Sequence, residues 1–210
     1  MTALLVIAKQ PLPGRVKTRL TPPFTPVQAA ALAEAALADT LAVAARVPAA
    51  RHVLVLDGEP GAWLPPCFEV VPQVAGGLDV RLAAAFAGCD GPALLIGMDT
   101  PQITPGSLTG ALRWDAYDAW FGPAADGGFW ALGLRSPEPS LQLGGPMSRA
   151  DTGGVLFERL RAAGLRTGRL PVLRDVDTAE DARHVAAEAT GTRFAALHAV
   201  LAPARAGAET

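Results

Sequence analysis

A short apolar run between two breakers sets the strongest limit on what this chain can fold into. Ala93-Leu94-Leu95-Ile96 follows Gly91-Pro92 and stops at Gly97, with Met98-Asp99-Thr100-Pro101 behind it. Four uninterrupted apolar residues bounded by glycine and proline predict a strand buried on both faces. Strands of that kind belong to parallel sheets covered by helices. Thr104-Pro105 then supplies an N-cap and a first helical residue, so the chain turns back as a helix. In open parallel sheets, ligands bind just beyond the carboxyl ends of the strands, and Asp99 falls there. Aspartate beside proline also caps turns, so on this stretch alone the two roles weigh evenly.

The same pattern recurs along the chain. Strands are expected at Ala3 to Ala8, His52 to Leu56, Phe68 to Val71, Tyr117 to Phe121, Phe129 to Leu134 and Leu170 to Leu173. Helices are expected from Thr25-Pro26 to about Arg46, through Leu78, Leu82, Ala85 and Phe86, from Thr152 to Ala163, and after Asp177 or Thr178 as N-cap. This alternation predicts an α/β fold with a mostly parallel mixed sheet of about seven strands. A chain of 210 residues suits one domain with a full core, here residues 1–201, with 202–210 as a flexible tail. Pro137 to Pro146 reads as a mobile loop. Half of the residues are apolar and the net charge is -2, which leaves no basic face for nucleic acid. No run approaches the length of a membrane span, and Leu4 to Ala8 is too short for a signal peptide. Two cysteines without a C-x-x-C pair exclude a thiolate zinc site and fit a cytoplasmic protein. His52, His184 and His198 are scattered and read as structural.

Chemistry concentrates at three places. The loop after the first strand, Lys9 to Leu20, holds Lys9, Arg15, Lys17 and Arg19 around Pro11, Pro13 and Gly14. In a doubly wound fold this loop is the usual phosphate cradle. Arg15, Lys17 and Arg19 alternate, so in an extended loop all three would face one way and repel unless an anion sat among them. Asp126-Gly127-Gly128 is a turn signal between two strands. It also combines an acid with glycines that let a ligand approach the backbone. Asp175 and Asp177 lie two apart at the end of the last expected strand, with both carboxylates on one side. At about 4 Å such a pair repels by roughly 4 kcal/mol at a surface-like dielectric, which a divalent cation would remove. Taken together, cations would meet one side of a phosphate-bearing ligand, and a metal held by Asp99, Asp175 and Asp177 would neutralise the other. Oxygen ligands without His or Cys argue for Mg2+ or Mn2+.

Four motifs carry a resemblance. Lys9-x-Pro-x-Pro-Gly-x-Val-Lys-Thr-Arg-Leu20, Gly97-x-Asp-x-Pro101, Gly122-Pro-Ala-x-Asp-Gly-Gly128 and Asp175-Val-Asp-Thr-x-x-Asp181 resemble a bacterial family with the GT-A fold of nucleotide-diphospho-sugar transferases. Some of its members are linked to arsenosugar synthesis, and its relatives include guanylyltransferases of the molybdenum and deazaflavin cofactors. The resemblance runs from the first strand to about Ala186. It implies a single-domain, Rossmann-like three-layer sandwich, and through the deazaflavin branch it favours Asp99, Asp175 and Asp177 as the metal ligands. Gly77-Leu78-Asp79-Val80-Arg81 departs from the family's Asp-Leu-Gly-x-Arg, and Ala150-Asp151-Thr152 stands where the family has Trp-Ser-Thr. Both departures are expected on the acceptor side, which points to an acceptor unlike that of typical members.

The resulting expectation is a metal-dependent glycosyltransferase moving a sugar from a nucleotide-diphosphate sugar to a small acceptor. The alternative is a nucleotidyltransferase, guanylyl or cytidylyl, joining an NMP to a phosphorylated small molecule with release of pyrophosphate. Asp126 and Lys17 are the candidate catalytic residues. Lys9, Pro13, Gly14, Arg15, Lys17, Thr18 and Arg19 would bind nucleotide phosphates, and Arg81, Gly127 and Gly128 the acceptor. Expected partners are a nucleotide sugar or NTP and a small acceptor, with no nucleic acid, no membrane and a homodimer as the candidate assembly. A non-catalytic nucleotide-binding protein, with the acids only capping turns, is the third reading.

Overall fold

The fold is that of a computed structural model, and residues 1–137 and 152–202 are described. β1 (Ala3–Lys9), β2 (Arg51–Asp57), β3 (Phe68–Pro72), β4 (Ala93–Gly97), β5 (Ala119–Pro123), β6 (Phe129–Leu134) and β7 (Thr167–Arg169) form one sheet in the order β3-β2-β1-β4-β6-β5-β7. β6 runs antiparallel to both of its neighbours; the other pairings are parallel. β1 pairs with β2 on one side and β4 on the other, with Ala3 opposite both Arg51 and Ala93. The order of strands therefore reverses between β1 and β4, and a crevice opens there at their carboxyl ends.

Alternating side chains of β1 build the two faces. Leu4, Val6 and Ala8 pack with α1 (Pro26–Ala44) and α3 (Pro105–Thr109). Ala3 and Leu5 pack with α2 (Leu78–Ala87) and α4 (Thr152–Ala162). This is the expected α/β three-layer sandwich, with a mostly parallel mixed sheet of seven strands. Thr25 and Thr104 cap α1 and α3, each with a proline in the first turn, because the cap accepts an orphan N–H and proline lacks one.

α1 overturns one expectation. Its 19 residues are long and apolar enough to cross a membrane by length and composition. It is this apolar because it is covered on two sides. Ala30, Ala33, Leu37 and Leu41 face the sheet. Ala29, Leu32 and Ala36 face Ala182 and Val185 of α5 (Ala179–Glu188) and Phe194 of α6 (Arg193–Leu201). α6 has no counterpart in the sequence-based expectations; Thr192 caps it.

The last strand is displaced from Leu170 to Leu173 and lies at Thr167–Arg169. Pro171 has no N–H for a ladder, and Leu173 makes only a single bridge with Ala124. Gly168 instead lets the edge pair close under Trp120, whose ring lies 2.5 Å from where a Cβ would be. β5 starts at Ala119, two residues later than expected, and the Asp118 carboxylate just before it accepts from Arg166. The loop expected at Pro137 to Pro146, residues Ala150 and Asp151, and the tail after Ala202 lie outside the described residues, apart from Pro137.

Candidate active site

A cleft of about 640 Å³ sits at the carboxyl ends of β1 and β4. Lys9, Arg15, Lys17, Thr18 and Arg19 line it from the β1 loop, Asp99 from the end of β4, and Asp175 and Asp177 from the segment before α5. Ile7, Leu78, Leu82 and Phe129 supply an apolar wall. The cations and carboxylates thus converge, but not through an extended loop. The Val16 N–H bonds back to the Leu12 carbonyl, Lys17 takes the left-handed conformation (φ 48, ψ 39), and Thr18–Leu20 is a 3-10 turn.

Lys17 is the centre of the constellation. Its Nζ lies 2.8 Å from Asp99 Oδ2 and 2.9 Å from Asp177 Oδ1, and its side chain is only 10% exposed. Burial alone would lower its pKa, but the charges of Asp99 and Asp177 and its hydrogen bonds to both outweigh that and hold it above the ordinary lysine value. Arg19 donates to the other oxygen of Asp177, Oδ2. Among the described residues Asp175 has no such cation. Burial, then the charges of Asp99 and Asp126, push its carboxyl up to about 7, with Lys17 opposing them.

Two hydrogen bonds hold these acids in register. Val176 N–H donates to the Asp99 carbonyl (3.0 Å), and Gln102 Nε2 donates to the Arg174 carbonyl (2.7 Å). Thr178, not Asp177, caps α5 in a capping box with Asp181. Asp177 is thereby free to face the cleft. Gln102 was not singled out by sequence reasoning, and nothing local marks a glutamine that bonds a residue 72 positions away. The Gln73 amide donates to the Ala8 and Val55 carbonyls. Arg81 lines the cleft, but its guanidinium is engaged by Asp57, Gln73 and the Gly76 carbonyl.

The remaining expected residues lie apart from the cleft lining. Pro13 and Gly14 are exposed, and Gly14 (φ 74) lets the loop turn. Asp126 is exposed and accepts from the Gly128 N–H at 2.8 Å, closing the β5–β6 hairpin. It acts on the cleft through its charge on Asp175. The close approach at Gly127 and Gly128 is made by Gly153 of α4. The Gly153 N–H donates to the Gly127 carbonyl, and a Cβ on Gly153 would lie 2.2 Å from Gly128 O.

Among the described residues no three His, Cys, Asp or Glu side chains stand in metal-holding geometry; Lys17 lies between Asp99 and Asp177 instead. Yet Asp99 Oδ1 and Asp175 Oδ1 are buried without a hydrogen-bond partner among the described residues. Buried carboxylate oxygens without donors call for a cation or a proton. The donor set is all oxygen, which fits a hard divalent ion.

Comparison with known proteins places the chain and its fold. The chain is 34% identical to the phosphoenolpyruvate guanylyltransferase of Thermomonospora curvata, over all of this chain and 94% of that protein. A crystal structure from Desulfovibrio desulfuricans G20, provisionally assigned as a nucleotide-diphospho-sugar transferase, superposes with a TM-score of 0.85 at 28% identity, covering 95% of this chain and 96% of the other. Rv0371c from Mycobacterium tuberculosis H37Rv shares the fold, with a TM-score of 0.58 at 21% identity over 88% and 96% of the two chains. Fold and site together define a transferase of the GT-A-like class related to nucleotidyltransferases. Residues 28–149 match the family described as "Uncharacterized protein conserved in bacteria (DUF2064)", and the chain belongs to that family.

Proposed function

We propose that the chain is a guanylyl-transferring nucleotidyltransferase that joins an NMP to a phosphorylated small acceptor and releases pyrophosphate. One observation carries this reading. Four cations from a single loop and three carboxylates from two distant segments line one cleft at the switch point of the sheet. Full-length similarity to a guanylyltransferase supports it over glycosyl transfer. Glycosyl transfer draws its support from the assignment of the Desulfovibrio structure.

In this reading Lys9, Arg15, Lys17 and Arg19 hold the triphosphate, and the apolar wall of Ile7, Leu78 and Leu82 faces the base. An oxygen of the acceptor phosphate attacks the α-phosphorus. The bond from that phosphorus to the oxygen bridging to the β-phosphorus breaks, and pyrophosphate leaves with the electron pair. The attacking oxygen is already anionic, so no side chain has to act as base, and Asp126 is left with shaping the hairpin. The protein contributes position and field. Asp99, Asp175 and Asp177 would hold Mg2+ or Mn2+, which would neutralise charge on the phosphates.

The test is incubation with each NTP or nucleotide sugar, phosphorylated and carboxylated acceptors, and Mg2+. Pyrophosphate released from GTP in an acceptor-dependent way is the expected result. Free nucleoside diphosphate from a nucleotide sugar, without pyrophosphate from any NTP, would establish glycosyl transfer instead.

A further inference from the structure

Lys17 stands where two demands of the proposed reaction meet. It belongs to the loop offered to phosphates, yet its ammonium bridges Asp99 and Asp177, two of the three carboxylates offered to a divalent ion. A divalent ion and an ammonium cannot both lie against Asp99 Oδ2 and Asp177 Oδ1, because two cations at that spacing repel strongly. Resting on the nucleotidyltransferase reading above, we infer that Lys17 is an exchangeable internal cation: it holds Asp99 and Asp177 in the ligand-free protein and leaves them when a divalent ion enters, turning to the phosphates.

Four features make the exchange workable. Among the described residues Lys17 alone, glycines aside, has positive φ, a conformation that persists only where surrounding contacts over-determine it. Its two ion pairs are such contacts. Arg19 grips Asp177 through Oδ2 independently, so Asp177 stays paired when Lys17 departs. Asp99 Oδ1 and Asp175 Oδ1 are buried and, among the described residues, without hydrogen-bond partners, so an incoming ion finds oxygens that Lys17 does not use. Lys9 and Arg15 line the same cleft and, among the described residues, have no ion-pair partner. They can draw a polyphosphate in while Lys17 is still engaged. Divalent ion and nucleotide then reinforce each other's binding, as linkage requires.

The chain contains two lysines, Lys9 and Lys17, so amine acetylation followed by mass spectrometry reads the exchange in the wild-type protein, with Lys9 as internal reference. Without divalent ion, Lys17 should react about tenfold or more slowly than Lys9, and saturating Mn2+ should raise its rate at least about fivefold, the lower range of measured couplings. Lys17→Met should bind Mn2+ alone about tenfold more tightly than wild type by electron paramagnetic resonance of free Mn2+. Lys17→Arg and Lys9→Met should stay near wild type. Equal labelling of the two lysines without metal, or a Lys17 rate that Mn2+ does not change, overturns the inference. So does a folded Lys17→Met that binds Mn2+ no better than wild type. If Lys17→Met does not fold, the wild-type labelling decides. Exposure of Lys17 by Mn2+ in a protein that releases no pyrophosphate would remove the nucleotidyl reading and leave the exchange standing; the opposite pair of results would remove the exchange alone.

Discussion

Asp175 is the residue on which the site is least at ease. Its Oδ1 has no hydrogen-bond partner among the described residues, and burial first, then Asp99 and Asp126, favour its neutral form. An acid whose pKa is raised in the folded state binds its proton more tightly there than in the unfolded chain. It therefore weakens the fold as pH rises from its ordinary value through about 7. Asp175→Asn keeps the shape and removes the charge. In EDTA at pH 8 it should gain about 1–3 kcal/mol of stability, while losing turnover at least about tenfold. Loss of stability by thermal unfolding would show that the carboxylate already has a compensating partner. The position of Asp99 was legible in sequence, because it follows directly on a buried strand. The pairing of Lys17 was not: its partner Asp177 is 160 residues away, and the shared side that alternation in the loop pointed to is reached through a left-handed turn at Lys17, not an extended loop.

At the scale of elements, caps and edges decide what stays seated. Asp39, 6% exposed on α1, accepts from Phe194 N–H (2.8 Å), Arg193 N–H and the Arg193 guanidinium, tying α6 to α1. Asp39→Ala leaves those N–H groups short of an acceptor and should cost about 2–3 kcal/mol in urea unfolding; a change below about 0.5 kcal/mol would mean that water replaces the carboxylate. At the far edge of the sheet the Arg166 guanidinium and N–H hold the Asp118 carboxyl down to about 2. A lowered acid contributes stability above its ordinary value of 3.8 and loses it as pH falls through about 2. The difference in melting temperature between wild type and Asp118→Asn should thus be constant above pH 5 and shrink between about pH 4 and 2. A difference that persists undiminished at pH 2 would place the effect in packing. Strand cores and threonine caps were readable because they depend on neighbours in sequence. β7 was not, since Thr167-Gly168-Arg169 has no apolar pattern and owes its place to Trp120.

The whole molecule brings the cations and acids together through its strand order. β1 ends beside β4, and the segment from Leu170 to Asp177 is fastened across β5, β6 and the loop after β4 by Trp130, Ala125, Gln102 and Val176. In the proposed reaction both halves of the cleft would hold a nucleotide with its metal. GTP and Mg2+ together should therefore raise the melting temperature by more than the sum of either alone. At about 100 times the dissociation constant the gain is about 2.7 kcal/mol, or roughly 5–10 °C for a chain of this size. Strictly additive shifts would separate the nucleotide from the ion.

Taken alone, the sequence determined the α/β class, the buried strands, the threonine-capped helices and the placing of charged residues just past strand ends. These follow from hydrophobic periodicity and capping, which act over a few residues. Only the tertiary structure decided which charge meets which, that Lys17 rather than solvent lies between Asp99 and Asp177, and that α1 is apolar because α5 and α6 cover it. Those outcomes depend on strand order and on contacts between distant segments, where electrostatic energy is fixed by separation in space and not along the chain.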